Sequence, residues 1–377
     1  MKYIALASLL IFGVVLGAQG PVTQSSETVS KKKSTTTSTP DPNATPVDPA
    51  NDPNAKIPSK YKPNKDGLPQ GVPTFRSDVL TVTVDVAVLD DKGNPIPKIP
   101  QEKFRILEDN TPQKVTGFSV GEAPMTICLV VEFSNRFQRY YSSGWYQTLT
   151  AAYGFVQTLK PEDYLAVIAY DMRPEILSDF ATDRAQAGEA LQRLRIPAFS
   201  EANLFDTLVF TGERMQDIEG RKAIVLLSSG IDTFSKLTFD KARRAIQDNG
   251  IPIYAIGLLQ SQRIMAEPRM GPVANLDFLQ ADNEMKTFAS ETGGRAFFPR
   301  FEGELPGIFN AVQQSMRNQY VLTYQPTNQS KDGKFRRLKV ELVNQDNQPL
   351  RVVNEKGKPI KVQIIAKAGY KAPREVE

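Results

Sequence analysis

The sequence predicts an open, mostly parallel α/β sheet with helices on both faces, inserted in a β-sandwich built from the two flanking segments. Three observations carry this expectation. Between about Ala123 and Asn318, short apolar runs alternate with segments of helical spacing, the pattern of parallel strands joined by helical crossovers. On either side of that stretch, apolar residues recur at every second position, as in strands with one buried face. The first flank alone supplies only about 50 residues of strand, marginal for an independent sheet domain, so the two flanks are expected to complete one another.

The chain opens with MKYIALASLLIFGVVLGAQG: an early Lys2, an apolar run from Ile4 to Leu16, then small Gly17 and Ala18. That order is the one found in secretory signal peptides, and the run falls short of the roughly 20 residues of a bilayer span. Residues 1–18 are therefore expected to be a signal peptide cleaved near Ala18, and the protein to be secreted or periplasmic. Residues 19–73 are rich in Ser, Thr, Asp, Asn and Lys, and ten prolines lie between Pro21 and Pro73. With so little apolar surface to bury, this stretch is expected to be a disordered linker.

Strand signals follow. Leu80, Val82, Val84, Val86 and Val88 alternate with polar or small residues, and Asp91-Lys92-Gly93-Asn94-Pro95 reads as a turn. Phe104–Ile106 and Val115–Val120 are further strands, joined through Glu108-Asp109-Asn110, so residues 74–122 form the first half of the sandwich. Its second half, residues 319–374, is read from Gln319–Tyr324, from Leu338, Val340 and Leu342, and from Val362–Ile364 after a Lys-Gly-Lys-Pro turn.

In the middle, residues 123–318, the runs Met125–Phe133, Tyr164–Tyr170, Ala223–Leu227, Ile251–Leu259 and Ala296–Phe298 are too short for helices and too uniformly apolar for one-sided strands. Helical spacing links Trp145, Leu149, Ala152, Val156 and Leu159; then Leu204, Leu208, Thr211 and Met215; then Phe239, Ala242 and Ile246. Thr238 is a helix start, and Asn249-Gly250 and Gly293-Gly294 are helix stops.

Composition removes several function classes. There is no His, and the one cysteine, Cys128, has no partner, so neither a disulfide framework nor Cys/His metal or nucleophile chemistry is available. Flanked by Ile127 and Leu129, Cys128 reads as a small buried apolar residue. Net charge is only +4, with both signs interspersed, which argues against a nucleic-acid surface. No phosphate loop of the G-x-x-x-x-G-K-S/T type occurs. The remaining enzymatic alternative is an acid-only hydrolase built on Glu132 and Asp232.

In an open parallel sheet, ligands bind beyond the carboxyl ends of the strands at the point where strand order reverses. The loops to inspect read Glu132-Phe133-Ser134-Asn135-Arg136 after the first strand, Ser200-Glu201-Ala202-Asn203 before a helix, and Ser228-Ser229-Gly230-Ile231-Asp232 after a later strand. Here the middle of the chain resembles a von Willebrand factor A domain, a Rossmann-like fold. In that family the first strand ends in Asp-x-Ser-x-Ser, a Thr precedes a helix, and a later strand ends in Ser-Asp-Gly. Residues 74–374, through the closing Ala368-Gly369-Tyr370-Lys371-Ala372-Pro373, are similar to the VWFA-related family common in Acidobacteria.

The resemblance implies a divalent cation held by those loops, but the motif is largely lost here. Its first Asp falls on Glu132, its first Ser is kept as Ser134, its second Ser becomes Arg136, its Thr falls on Ala202, and its Asp falls on Ser229. Mg²⁺ needs octahedral oxygen ligands, and a lost hydroxyl and an added guanidinium both oppose it. No cofactor is therefore expected, with Glu132, Ser134, Asp206 and Asp232 as the oxygen donors left for a metal; Asp206 also reads as a first-turn helix acid. The expected function is a non-enzymatic protein-binding or adhesion module with a degenerate metal-ion-dependent adhesion site. Arg136 could capture an acidic side chain of the partner directly, or pair internally with Glu132. Phe137, Tyr140, Tyr141, Trp145 and Tyr146 crowd the segment beyond and suit an interface. A scaffold or assembly subunit binding through its β-sandwich is the alternative.

Overall fold

The structure, a computed structural model, describes residues 80–120, 123–135, 144–195, 199–258, 260, 263–264, 271–353 and 359–374, without the side chains of 144, 145, 147 and 272–274. The expected signal peptide and linker, Arg136, Phe137, Tyr140, Tyr141 and the Trp145 side chain lie outside the described residues.

In chain order the elements are β1 (Val82–Leu89), β2 (Phe104–Glu108), β3 (Thr111–Gln113), β4 (Val115–Val120), β5 (Met125–Glu132), α1 (Gly144–Val156), β6 (Tyr164–Tyr170) and β7 (Pro174–Ala181). There follow α2 (Arg184–Arg193), α3 (Leu204–Gln216), β8 (Arg221–Ser228), α4 (Phe239–Asn249), β9 (Ile253–Gly257), α5 (Pro272–Thr292), β10 (Arg295–Phe297) and α6 (Leu305–Arg317). β11 (Gln319–Tyr324), β12 (Phe335–Leu342), β13 (Gln363–Ala366) and β14 (Gly369–Lys371) close the chain.

The central sheet has the order β10-β9-β8-β5-β6-β7. All its pairings are parallel except β6 with β7, an antiparallel edge that the sequence reading did not separate from its surroundings. Every residue of β5 is buried because the strand is covered on both faces. Ile127, Leu129 and Val131 enter a core formed with α1, α2 and α6, while Cys128 and Val130 enter a second core formed with α3, α4 and α5. A period-two strand between two helical layers has no polar face, which explains the uninterrupted apolar run. Burial pushes the Cys128 thiol well above its ordinary range, so it is an inert core residue. The helix stops hold: Gly250 and Gly293 take left-handed φ of 62° and 83° at the ends of α4 and α5. The Thr238 side chain makes no capping bond at the start of α4.

The flanks form two antiparallel sheets, β13-β1-β11-β4 and β14-β12-β2-β3, packed over one apolar core that includes Val84, Val86, Ile106, Leu322 and Val340. The turn at Asp109-Asn110, both with positive φ, returns the chain into β3 beside β2, and β4 then joins the other sheet. Val362 stands just before β13 rather than inside it. β4 ends at Val120 opposite Tyr320 of β11, so the chain leaves for the parallel sheet and returns from it at paired residues. Tyr324 and Tyr370 both donate to the buried Glu108 carboxylate, at 2.5 and 2.9 Å, and so tie the closing segment to the first flank.

The parallel sheet is clamped to these flanks. The Ala368 amide donates to the Glu291 carbonyl at the end of α5, and Lys371 pairs with Asp248 on α4. At the base of the sheet, Arg317 at the end of α6 forms a buried ion pair with Asp163, whose carboxylate also accepts from the Met125 amide where β5 begins.

Candidate binding site

β5 lies between β8 and β6, so the chain runs outward from β5 in both directions and the loops after β5 and β8 meet beyond the strand ends. At their junction sits Glu132, the last residue of β5, with no solvent exposure. Its Oε1 accepts from Ser134 Oγ at 2.7 Å. Its Oε2 accepts from Ser228 Oγ at 3.0 Å, the Ser229 amide at 2.8 Å and Ser229 Oγ at 2.9 Å. Four donors without a formal charge thus surround one buried carboxylate, which is the way such a group can be kept from water without a counter-ion.

Tyr170 completes the cluster. It ends β6 directly across from Glu132, and its hydroxyl lies 2.8 Å from Ser228 Oγ and 3.4 Å from Glu132 Oε2. Burial, then the adjacent Glu132 charge, hold the Tyr170 phenol far above its ordinary range, so it stays protonated as a donor. The sequence reading missed Tyr170 and passed over Ser228. Tyr170 was visible only as the last residue of the next apolar run, and its relation to Glu132 requires the strand register.

The other anticipated positions are nearby but differently engaged. Ala202 is buried; its amide donates to Thr233 Oγ1 at 2.9 Å, and its carbonyl accepts from the Thr233 and Phe234 amides. The Asp232 carboxylate accepts from the Leu204 and Phe205 amides at 2.8 and 3.2 Å and from Ser235 Oγ at 2.5 Å. It therefore caps the N-terminus of α3 from a different loop, while Asn203, the residue in the capping position, makes no such bond. Asp206, in the first turn of α3, accepts from the Lys236 and Leu237 amides at 3.0 and 2.9 Å. The structure brings Glu132, Ser134 and Ser229 together, turns Asp232, in the loop after β8, to the start of α3, and turns Asp206 toward that same loop.

Among the described residues, this set offers few free oxygens to a divalent cation. Such an ion needs several oxygens with lone pairs directed at one point; Glu132 Oε2 is already taken up by Ser228 and Ser229, while Oε1 accepts from Ser134 alone. Ala202 offers a methyl group where a hydroxyl would be needed. The two remaining carboxylates are spent on backbone amides. Of the two carboxylates, Glu132 is sealed from solvent and Asp232 holds the start of α3.

Two exposed apolar side chains stand on the site loops, Phe199 at 47% and Phe234 at 45%; Phe301, after β10, and Tyr146, at the start of α1, are exposed as well. Phe199 and Phe234 are tied to the site loops through main-chain bonds to Asn135 and Ala202.

Comparison with known proteins matches residues 127–311 to the family model of the von Willebrand factor type A domain. A search of curated proteins finds no match. Among solved structures, the chain is similar to proximal thread matrix protein 1 from the mussel byssus, at 10% identity and a TM-score of 0.40, covering 52% of this chain and 49% of that one. It thus spans about half the length of the mussel protein. The vWF domain of the type V pili tip protein Mfa5 from Porphyromonas gingivalis is similar at 14% identity and a TM-score of 0.40, covering 52% and 96%. An aerotolerance-related membrane protein from Bacteroides fragilis is similar at 13% identity and a TM-score of 0.38, covering 52% and 98%. Sheet order and helices on both faces agree with the family match, and residues 127–311 have the α/β fold of a von Willebrand factor type A domain.

Proposed function

We propose that this protein is a non-enzymatic, extracytoplasmic protein-binding module whose metal-ion-dependent adhesion site is degenerate, and that it engages its partner without a bound cation. The observation that carries the reading is the enclosure of Glu132: its carboxylate is buried and satisfied by Ser134, Ser228 and Ser229. Recognition then falls to the exposed Phe199 and Phe234, which are tied to the site loops and offer apolar contact, and to Arg136, four residues after Glu132 in the sequence, whose guanidinium suits an acidic partner side chain. The charge, apolar and small-residue order of residues 1–18 supports export, and no helix among the described residues is long and apolar enough to cross a membrane. The pattern of the whole of residues 74–374, closing motif included, supports membership of the VWFA-related family.

The test is calorimetric titration of the mature chain with MgCl₂ and MnCl₂, alongside partner capture from envelope extract with and without EDTA. The proposal expects no stoichiometric uptake at micromolar metal, capture that survives EDTA, and capture lost with Phe199→Ser/Phe234→Ser or with Arg136→Ala. Tight one-to-one metal uptake that disappears in Glu132→Ala would overturn it.

A further inference from the structure

We propose that the β-sandwich binds a free, unbranched alkyl carboxylate of about ten carbons in a side pocket beside Val340, separate from the loops around Glu132. The pocket has a volume of about 390 Å³, and its lining includes Val340, Leu342, Leu350, Ile360, Val362 and Ile364. Except for Ile360, these side chains belong to the apolar core between the two antiparallel sheets or pack against it. The pocket is therefore a place where that core is reached from outside.

Main-chain pairing sets the width of the entrance. The Arg337 carbonyl accepts from the Asp109 amide and the Val343 amide donates to the Lys103 carbonyl, so the odd-numbered residues of β12 bond toward β2. On the other side of β12, the Leu338 amide donates to the Ala368 carbonyl, and the Leu342 carbonyl accepts from the Leu350 amide. Val340 lies midway between these two closed points, and among the described residues no strand pairs with it on that side. Four residues of strand separate the closed points, about 13 Å. A gap closed at both ends has no room for a further strand, but it admits a single alkyl chain, about 4 Å thick.

The pocket also fixes the chemistry of its occupant. The aliphatic walls select hydrocarbon, and the narrow entrance selects an unbranched chain. At about 30 Å³ for each non-hydrogen atom, the share of a molecule in liquid water, 390 Å³ holds about thirteen atoms, which a ten-carbon carboxylate comes close to filling. The charged part of the lining selects the head. Arg105 and Lys339 both line the pocket and contact one Glu341 carboxylate, at 2.6 and 2.8 Å, so two cations share one acid and a net positive charge remains. The exposed Arg351 and Lys361 flank the lining residues Leu350, Ile360 and Val362 in the chain and add to it. An anionic head completes this balance, and the Val340 N–H is a main-chain donor to it.

The test is calorimetric titration of the full mature chain with sodium hexanoate, octanoate, decanoate and tetradecanoate, each below the concentration at which it forms micelles. One-to-one binding is expected, tightening roughly tenfold for every two carbons up to decanoate and levelling off at tetradecanoate, whose extra methylenes find no wall. Decyltrimethylammonium, with the same chain and the opposite charge, is expected to bind several-fold more weakly. Lys339→Glu, at a side chain 67% exposed, is expected to narrow or reverse that preference. Ile360→Phe, at a half-buried residue outside every strand, adds bulk to the pocket and is expected to move the plateau to octanoate, with an unchanged urea midpoint. Hydrogen exchange at the Val340 amide is expected to slow with decanoate. No heat at millimolar decanoate, affinity that keeps rising with chain length, or equal binding of the ammonium compound would overturn the proposal. So would titrations that both variants leave unchanged. Association with phosphatidylglycerol vesicles without binding of free decanoate would overturn it too, because the basic surface would then serve a membrane rather than a single chain.

Discussion

Replacing Glu132 distinguishes a hydrogen-bonded carboxylate from a metal ligand. In Glu132→Gln, the amide oxygen can take the place of Oε2 and keep the donors from Ser228 and Ser229, while the amide nitrogen faces Ser134, whose hydroxyl can turn and accept. Charge assistance worth about 1 kcal/mol per bond is lost, but the cost of burying a charge, several kcal/mol, is lost too. The net change is expected to lie within about 1 kcal/mol of zero. In Glu132→Ala the Ser229 amide cannot turn, so a buried donor is stranded at a cost of about 1–3 kcal/mol, and the cavity raises the total to about 3–5 kcal/mol. Urea unfolding followed by far-ultraviolet circular dichroism, with equal slopes for all three proteins, measures both. If Glu132→Gln destabilises as much as Glu132→Ala, the carboxylate's charge is indispensable and the enclosure by uncharged donors is the wrong description of the site.

Asp232→Ala removes the acceptor for the Leu204 and Phe205 amides and is expected to cost about 1–2 kcal/mol in thermal or urea unfolding, with Asp232→Asn retaining most of the stability. Arg317→Ala leaves the wholly buried Asp163 without its ion-pair partner and is expected to cost about 3–5 kcal/mol by the same measurement. Hydrogen bonds from Lys339 and then Arg105 hold the Glu341 carboxyl below its ordinary value. Because the folded-state value is the lower one, this contribution is full above the unfolded-state pKa near 4.5 and is lost as pH falls through the folded value. Unfolding curves across that range should therefore show Glu341→Gln less stable than the parent by about 0.5 kcal/mol at pH 7, with the gap closing toward pH 3.

Much of the fold was legible because its cause is local. An apolar run such as Tyr164–Tyr170 announces a strand covered on both faces, and Leu204, Leu208, Thr211 and Met215 announce one side of a helix. Elements without such contrast were harder to read. β7, Pro174–Ala181, at the sheet edge, buries only Leu177 and mixes apolar and polar residues without alternation, and α5 carries Leu276 and Leu279 in the open, so neither repeats a clean buried period. Ser228 and Tyr170 escaped notice for another reason: each is an ordinary strand-end residue until pairing places it beside Glu132.

The sequence by itself determined the parallel sheet with its two helical layers, the flanking strands, and the identity of the residues at the strand ends, since backbone periodicity and side-chain chemistry are properties of neighbouring residues. Only the tertiary structure decided how those ends are used. Whether Asp232 serves an ion or a helix start, and whether Glu132 faces water or Ser228 and Ser229, depends on contacts between residues 27 to 97 positions apart, whose geometry exists only once the chain has closed on itself.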